Sequence, residues 1–242
     1  MTVLLAETMA EAVRNVVLKV RYGSDVYGTT TDDSDNDVRG IYVPSVNAHI
    51  SLREFATYES MTDECDLVLH PVKKFIKLAM NSNPSCLEWL FVPEDKILHA
   101  DDAGRILIQS RSLFLTRQIY HRYSGFAKSE LHRVHTITGR SGARRRKLHM
   151  EFGYDSKAAM NVLRLLEQGI ELLYEGTLTM PRPNADLLRE IKLGRVPLTT
   201  VMGLIADAEA GIRSAYEKSQ LPVECDYDAA SNLLIEIVRM FD

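Results

Sequence analysis

The feature that most constrains the fold of this chain is a polar loop that joins two strand-like runs. The first run, Val16 to Tyr22, is rich in β-branched residues, and the second, Asp37 to Val43, alternates as a half-buried strand does. The loop between them begins with Gly23-Ser24 and ends in Asp35-Asn36-Asp37. The pattern therefore predicts a glycine-serine turn after one strand and an acidic entrance to the next.

The two acids of this entrance predict a cation site. In a strand, residues two apart project to the same face, so Asp35 and Asp37 are expected side by side. Adjacent carboxylates repel and are costly to desolvate, and a hard divalent cation is the usual remedy. Gly23 allows a close backbone approach, and Ser24 offers hydroxyl and amide donors to phosphate oxygens. The pattern thus predicts a metal–triphosphate site, with a solvated acidic turn as the simpler alternative.

Gly-Ser followed by Asp-x-Asp at this spacing resembles the signature of the DNA polymerase beta-type nucleotidyltransferase superfamily. A longer string resembles one branch, the predicted nucleotidyltransferases that include RNA-repair-associated (RNA ligase-linked) members. Its matching residues are Gly23, Ser24, Tyr27, Gly28, Thr29, Ser34, Asp35, Asp37, Arg39, Gly40, Ile41 and Tyr42. Further matches are Lys74-Phe75, Asn83-Pro84, Leu87-Glu88, Gly153 to Lys157, Arg164 to Leu166 and Pro181 to Pro183. The resemblance thus covers most of the chain.

This resemblance implies two-metal phosphoryl transfer, with two Mg²⁺ ions or Mn²⁺ as a substitute. The catalytic and metal-binding carboxylates would be Asp35, Asp37 and a third acid on a later strand. Asp66 is the best match for that third acid, because it opens a strand-like run before the helix that contains Lys-Phe. Asp63 and Glu64 lie close by and remain alternatives.

The resemblance also implies a set of nucleotide contacts. Gly23 and Ser24 would grip the β- and γ-phosphates. Arg39 would either neutralise phosphate or pair with the acidic cluster. Lys128 and Lys157 are the other candidates, because the resemblance runs through both, although a lysine in the first turn of a helix can equally be structural.

A basic segment, residues 105–147, is the second functional feature. It contains eleven lysines and arginines and one acid, so it carries a charge of +10 while the rest of the chain sums to about −14. Aromatic residues lie among these cations, a mixture that can grip phosphates and stack bases. The predicted nucleic-acid contacts are Arg117, Arg122, Arg140, Arg144, Arg145, Arg146 and Lys147, interleaved with Tyr120, Tyr123 and Phe126. A solvated surface is the alternative interpretation.

The predicted fold class is α+β in two domains. Residues 1–104 mix short strands with turns and are expected to form a nucleotidyltransferase fold, a small mixed sheet flanked by helices. Residues 105–242 are expected to form a helical domain that includes the basic segment. Its first predicted helix is capped by Asp155 or Ser156, runs to Leu173 with apolar residues at helical spacing, and has Gly176 beyond its end. Asn184 and Gly194 bracket a short second helix, and two more are predicted over 199–218 and 228–240.

Cysteine usage and hydropathy favour a cytoplasmic protein. The three cysteines are too few and too scattered for a disulfide framework, which fits a reducing compartment. No apolar run approaches the ~18 residues of a membrane span. A membrane partner is therefore not expected.

Together these features predict a nucleotidyltransferase that adds a nucleoside monophosphate from an NTP to an acceptor hydroxyl and releases pyrophosphate. The expected acceptor is RNA, in 3′-end repair or tailing. One alternative is nucleotidylation (AMPylation) of a protein in a toxin–antitoxin-like system. Another is a non-catalytic nucleotide sensor or RNA-binding module. The sequence leaves the NTP, the number of nucleotides added and the oligomeric state open.

Overall fold

The computed structural model describes residues 15–32, 34–46, 49, 55–62, 65–136 and 149–241. These residues group into two compact units. Unit 1 lies within Met1–Val26, Asp32–Phe114 and Cys225–Asp242, and unit 2 lies within Tyr27–Thr31 and Leu115–Glu224. The contiguous ranges expected from the sequence, 1–104 and 105–242, do not anticipate this interleaving, since a short loop segment belongs to unit 2 and the last helix to unit 1.

Unit 1 is built on a five-stranded mixed sheet. Its strands are β1 (Val16–Tyr22), β2 (Asp37–Tyr42), β3 (Tyr58–Met61), β4 (Asp66–Pro71) and β5 (Ile97–Ala100). Their order in the sheet is β3-β4-β2-β1-β5, in which β2 and β4 are parallel and the other neighbours are antiparallel. The mixed sheet and the helices around it confirm the predicted α+β class.

The α-helices follow and interrupt these strands. They are α1 (Ser24–Tyr27), α2 (Val72–Met80), α3 (Pro84–Leu87), α4 (Asp102–Gln109), α5 (Gln118–His135), α6 (Ser156–Glu175), α7 (Ala185–Lys192), α8 (Leu198–Lys218) and α9 (Tyr227–Arg239). Short 3₁₀ helices span Glu88–Phe91, Glu94–Lys96 and Ser110–Phe114. In the described part of the chain, every helix is too short or too polar to cross a bilayer.

The core of unit 1 forms where α2 covers the sheet. Pro71 precedes the helix, where its fixed φ and missing N–H cost nothing, and Phe75 on the inner face of α2 is fully buried. The Trp89 ring stacks on Phe75 at 5.5 Å and on His70 of β4 at 5.1 Å. A smaller cluster forms around Tyr42 and Leu69. The first cluster packs against β4 and the second joins β2 to β4, so the strands that carry Asp37 and Asp66 are fixed in the core.

Unit 2 is organised around α6, which is buried on nearly every side by α5, α7 and α8. The Asp155 carboxylate accepts the Ala158 N–H at 2.9 Å and caps the first turn. Gly176 ends the helix with a left-handed φ of 66°, as the sequence predicted. The central helix therefore has well-defined ends, and its buried polar residues lie at fixed positions.

Candidate active site

The parallel pairing of β2 and β4 brings two of the predicted acids together. Their register places Asp37 opposite Asp66, the first residue of each strand. One nitrogen of Arg39, Nη2, lies 3.0 Å from Asp37 Oδ1 and 3.4 Å from Asp66 Oδ2. The other, Nη1, donates to the carbonyl oxygens of Val38 at 2.9 Å and Asp66 at 2.7 Å. Both carboxylates therefore converge on one cationic group at the edge of the sheet.

Gly23 brings the glycine-serine turn against Asp37. Tyr22, the residue before it, is paired with Asp37 across β1 and β2. Gly23 has a left-handed φ of 69°, and a Cβ at this position would lie only 2.6 Å from Asp37 Oδ2. A side chain would thus be strained by the backbone and would also collide with the carboxylate. The two halves of the sequence motif, which are separated by a long loop, therefore meet in space.

Ser24 follows immediately and begins the short helix α1. The next residue, Asp25, is paired with Lys96 at 2.8 Å and with Arg21 at 3.8 Å. This acid therefore has its own cationic partners in unit 1, separate from the cation that joins Asp37 and Asp66. The negative charge beside Ser24 is thereby offset by positive charge.

Asp35 lies outside the strand, because β2 begins at Asp37. The alternation argument from the sequence therefore does not apply to Asp35, whose side chain is exposed. Between these two acids, the Asn36 carbonyl accepts the Asp66 N–H at 3.0 Å, and the Asn36 side chain accepts from Arg21 at 2.6 Å. Among the described residues, no group of three or more acidic, histidine or cysteine side chains is placed so that it could hold a metal ion by itself. The role of Asp35 as a ligand stays a prediction.

The same face of β4 becomes cationic further along the strand. His70 lies four residues after Asp66, so both side chains are on the same face of β4. The Nδ1 atom of His70 is 3.0 Å from the Thr57 hydroxyl. Lys74 donates to that same hydroxyl. Burial, Lys74 and Arg39, in that order, lower the pKa of His70 from 6.5 to about 4. The ring is thus neutral at pH 7, and the fixed charges around it are positive.

The remaining nucleotide-contact predictions fall in unit 2. Lys128 is exposed on α5, and Lys157 lies half-buried in the first turn of α6. Of the predicted nucleic-acid contacts, Arg122 is exposed on α5. Five others, Arg140, Arg144, Arg145, Arg146 and Lys147, lie outside the described residues, as do Asp63 and Glu64. The described part therefore presents Lys128 and Arg122 to solvent on one helix.

Arg117 takes part in contacts within unit 2. Its guanidinium lies 4.3 Å from the centroid of the Tyr216 ring, and its Nη2 donates to the Tyr216 carbonyl at 3.1 Å. Tyr120 stacks on the same ring at 4.6 Å. Tyr123, which the sequence placed among the base-stacking aromatics, is completely buried, because that side of α5 packs against α6 at Gly169. Phe126 is exposed and retains the surface position expected of it.

Sequence reasoning missed a second set of polar residues, which surround the loop after Ser24. Arg164 of α6 and Lys192 of α7 are both buried and contact residues 27 and 29. The only available signal was the resemblance itself, whose matches included Tyr27 to Thr29 and Arg164 without showing that they touch. Helical periodicity gives no indication that a buried position will carry a charge.

Two curated proteins share part of this sequence. An uncharacterized 38.9 kDa protein from the nrdC-mobD intergenic region of Enterobacteria phage T4 is 31% identical over 125 residues, which make up 47% of this chain and 37% of the relative. The uncharacterized protein YcgL of Bacillus subtilis (strain 168) is 36% identical over 77 residues, or 31% of this chain and 30% of the relative. The chain thus spans only about a third of the length of the curated relatives it matches.

A crystal structure of a nucleotidyltransferase-like protein from Exiguobacterium sibiricum 255-15 aligns with 100% of this chain and 79% of its own, at 13% identity and a TM-score of 0.27. A score this low supports no argument about fold or function. The model of the RNA repair pathway DNA polymerase beta family (RlaP) matches residues 1–228, so the chain belongs to that family.

Proposed function

We propose that this member of the RNA repair pathway DNA polymerase beta family transfers a nucleoside monophosphate from an NTP to a hydroxyl of RNA and releases pyrophosphate. The observation that carries the proposal is the convergence of Asp37 and Asp66 on one cationic group, directly against Gly23. This is where a metal–triphosphate would have to lie if the sequence motif is catalytic.

The residues present fit a divalent cation. Carboxylate oxygens are the ligands that Mg²⁺ prefers, and two of them already share a positive partner, the Arg39 guanidinium. Asp37 and Asp66 would hold the ion or the two ions, with Asp35 as the third predicted ligand and Mn²⁺ as a substitute. When bound, the metal neutralises triphosphate charge and lowers the pKa of the attacking hydroxyl.

The chain itself supplies position and charge. The side-chain-free backbone at Gly23 gives the triphosphate close access, and the Ser24 hydroxyl donates to a β- or γ-phosphate oxygen. The acceptor oxygen bonds to the α-phosphorus, the bond from that phosphorus to the bridging oxygen breaks, and pyrophosphate leaves. The proton of the acceptor hydroxyl passes to the Asp66 carboxylate. Arg39 is close enough to these carboxylates to exchange them for phosphate oxygens.

Three observations favour an RNA acceptor. The family takes its name from an RNA repair pathway. The basic segment carries +10, and α5 presents Arg122 and Lys128 to solvent. Lys74 of α2, which shares the Thr57 hydroxyl with His70 of β4, adds an exposed positive charge that would attract the phosphates of an acceptor strand. Lys128 and Lys157 are proposed as nucleotide contacts because the family resemblance runs through both.

Label transfer tests the proposal. Each α-labelled NTP is incubated with Mg²⁺ and, in turn, tRNA, other RNA and a cell protein extract. We expect label on RNA, at least about 100-fold reduced in Asp37→Asn and in Asp66→Asn, because several kcal/mol of charge stabilisation is lost. The matched control is Asp95→Asn, an exposed acid of unit 1, which should behave as wild type.

The other outcomes separate the alternatives. Label on a protein band would keep the chemistry and replace RNA by a protein acceptor. Binding of NTP without transfer to any acceptor would favour the non-catalytic sensor. RNA binding that does not weaken steeply with salt would contradict the role of the basic segment, since phosphate contacts release counterions.

A further inference from the structure

The loop that follows Ser24 is held by buried polar side chains of unit 2. Residues Tyr27–Thr31 belong to that unit, although the chain on either side of them belongs to unit 1. Three consecutive residues, Tyr27, Gly28 and Thr29, are each contacted there through a different group. Since Tyr27 comes three residues after Ser24 and Thr29 six before Asp35, this stretch fixes the middle of the candidate nucleotide-binding loop.

Tyr27 is held through both its ring and its backbone. The Arg164 guanidinium lies 4.0 Å from the centroid of the ring, within the range of a cation–π contact. The same guanidinium donates through Nη1 to Gln168 at 2.8 Å, which orients its plane. The Tyr27 carbonyl accepts the backbone N–H of Arg182 at 3.1 Å. Tyr27, Arg164 and Arg182 are all buried.

Gly28 and Thr29 are held just as closely. Gly28 has a left-handed φ of 77°, and a Cβ there would lie 3.0 Å from both Pro181 and Ala185. The Lys192 ammonium donates to the Thr29 carbonyl at 2.9 Å. Both Thr29 and Lys192 are buried, so this contact is shielded from water. The loop conformation at these residues leaves no room for a larger side chain at residue 28.

Stability alone does not explain this arrangement. A buried lysine and a buried arginine are costly to desolvate, and well-packed apolar residues at such positions often give equal or greater stability. What charged and hydrogen-bonded groups add is geometry, since each donor fixes one acceptor at one place. A loop held at two carbonyls and one ring has a defined path, which a loop held by apolar contacts alone lacks.

We propose that Arg164 and Lys192 are positioning residues of the nucleotide-binding loop. They do not touch the substrate. They fix the loop at Tyr27 and Thr29, three and five residues after Ser24. This inference rests on the proposed function, and it adds that the conformation of the loop at Tyr27 to Thr29 affects NTP affinity.

Lys192→Met, with Lys218→Met as the matched control, tests the inference. Methionine keeps the length of the lysine and removes its donor, while Lys218 is exposed at the end of α8. We expect the Kd for a non-hydrolysable NTP and the KM for NTP to rise about tenfold or more, the size expected for a lost charged hydrogen bond. The KM for RNA should change less than about twofold, and Lys218→Met should match wild type.

Hydrogen exchange of the peptide that covers residues 22–32 gives a readout independent of activity. Exchange should be faster in Lys192→Met and unchanged in Lys218→Met. If Lys192→Met does not fold, a second pair of variants tests the same positioning role. Tyr27→Leu removes the ring that Arg164 covers and should weaken NTP binding, whereas Tyr27→Phe keeps the ring and should restore most of the affinity.

The outcomes distinguish a failure of the proposed function from a failure of the positioning role alone. If the wild-type protein binds no NTP, both the proposed function and this inference fail. If the wild type binds and transfers but Lys192→Met and Tyr27→Leu retain its NTP affinity, only the positioning role is overturned. Equal increases in the KM for NTP and for RNA would also overturn it, because they would indicate a general structural defect.

Discussion

Two cations, Arg39 of unit 1 and Arg182 of unit 2, differ in how far water reaches them and their acidic partners. Arg39 at the sheet edge is 15% exposed, and its partners Asp37 and Asp66 are 24% and 29% exposed. Arg182 in unit 2 is 4% exposed, and its partner Glu171, 2.5 Å away, is 12% exposed. Water reaches the first group and compensates a lost contact, so its partners can be exchanged. The second group is largely shielded from water, so little compensates for a contact that is lost there.

The largest expected effect comes from removing the more buried of the two cations, Arg182. Arg182→Met leaves the Glu171 carboxylate buried without its charge partner, which should lower the free energy of unfolding by about 3–5 kcal/mol. Urea unfolding measures the loss. The control is Arg105→Met, which removes a pair of similar length, 2.6 Å to Glu94, at the surface. That variant should be indistinguishable from wild type, and equal losses in both would show that burial does not separate the two classes.

The next effect tests how closely Gly23 approaches the Asp37 carboxylate. Gly23→Ala should cost about 1–2 kcal/mol for the left-handed backbone and should abolish transfer, because the new methyl group displaces the Asp37 carboxylate. Thermal unfolding and label transfer measure the two losses. Gly203→Ala on α8, where a Cβ meets nothing within 4 Å, should instead be neutral or up to about 1 kcal/mol more stable. Retained transfer in Gly23→Ala would contradict the site geometry.

A pH titration tests the environment of His70, which lies on the same strand as Asp66. The pKa of His70 is lowered to about 4 from 6.5, so between these values the unfolded chain binds more protons than the folded one. The free energy of unfolding should therefore fall as the pH drops from about 6.5 to 4, by roughly 1–2 kcal/mol given the screening of a partly exposed ring. His70→Phe, which keeps a ring against Trp89, should remove this component. Parallel pH profiles for the two proteins would refute it.

The smallest expected effect comes from removing Arg39, the cation between Asp37 and Asp66. Arg39→Met removes one positive charge from beside two carboxylates, so affinity for Mn²⁺ should rise about fivefold, as roughly 1 kcal/mol of repulsion is relieved. Calorimetric titration with Mn²⁺ measures the change without any turnover. The control is Arg111→Met, whose guanidinium contacts the Phe91 ring and the Leu90 carbonyl instead. Weaker Mn²⁺ binding by Arg39→Met would show that Arg39 supports the ion rather than competing with it.

Sequence patterns predicted the strands and helices in which apolar residues recur at one regular spacing. Val16–Tyr22 is a strand as predicted, and α6 begins at Ser156 and ends before Gly176, as its cap residues indicated. The patterns failed where polar residues interrupt the period. α5, Gln118–His135, was treated as a basic segment rather than as a helix, because its exposed face is dense in cations and histidines. β5 was missed, since it is only four residues long and half-exposed.

The candidate site was predictable in its residues more than in its arrangement. Gly23, Asp37 and Asp66 were all named from the sequence, and the structure brings them together. Asp35 was expected on the strand and lies before it, because the ladder begins only at Asp37. Whether these residues carry the chemistry stays a prediction that the label-transfer experiment tests.

Residue types at short spacing are enough to predict the acidic entrance, the glycine turn and the family. The acid that lies opposite Asp37 follows from the fold, since the register of two strands almost thirty residues apart is set by the core that buries both. The fold also determines that Lys192 reaches Thr29, a contact across 163 residues. The spacing of apolar residues indicates which face of a helix or strand is buried. Which distant elements contact one another depends on how their buried faces pack together in the core, and this cannot be read from local spacing.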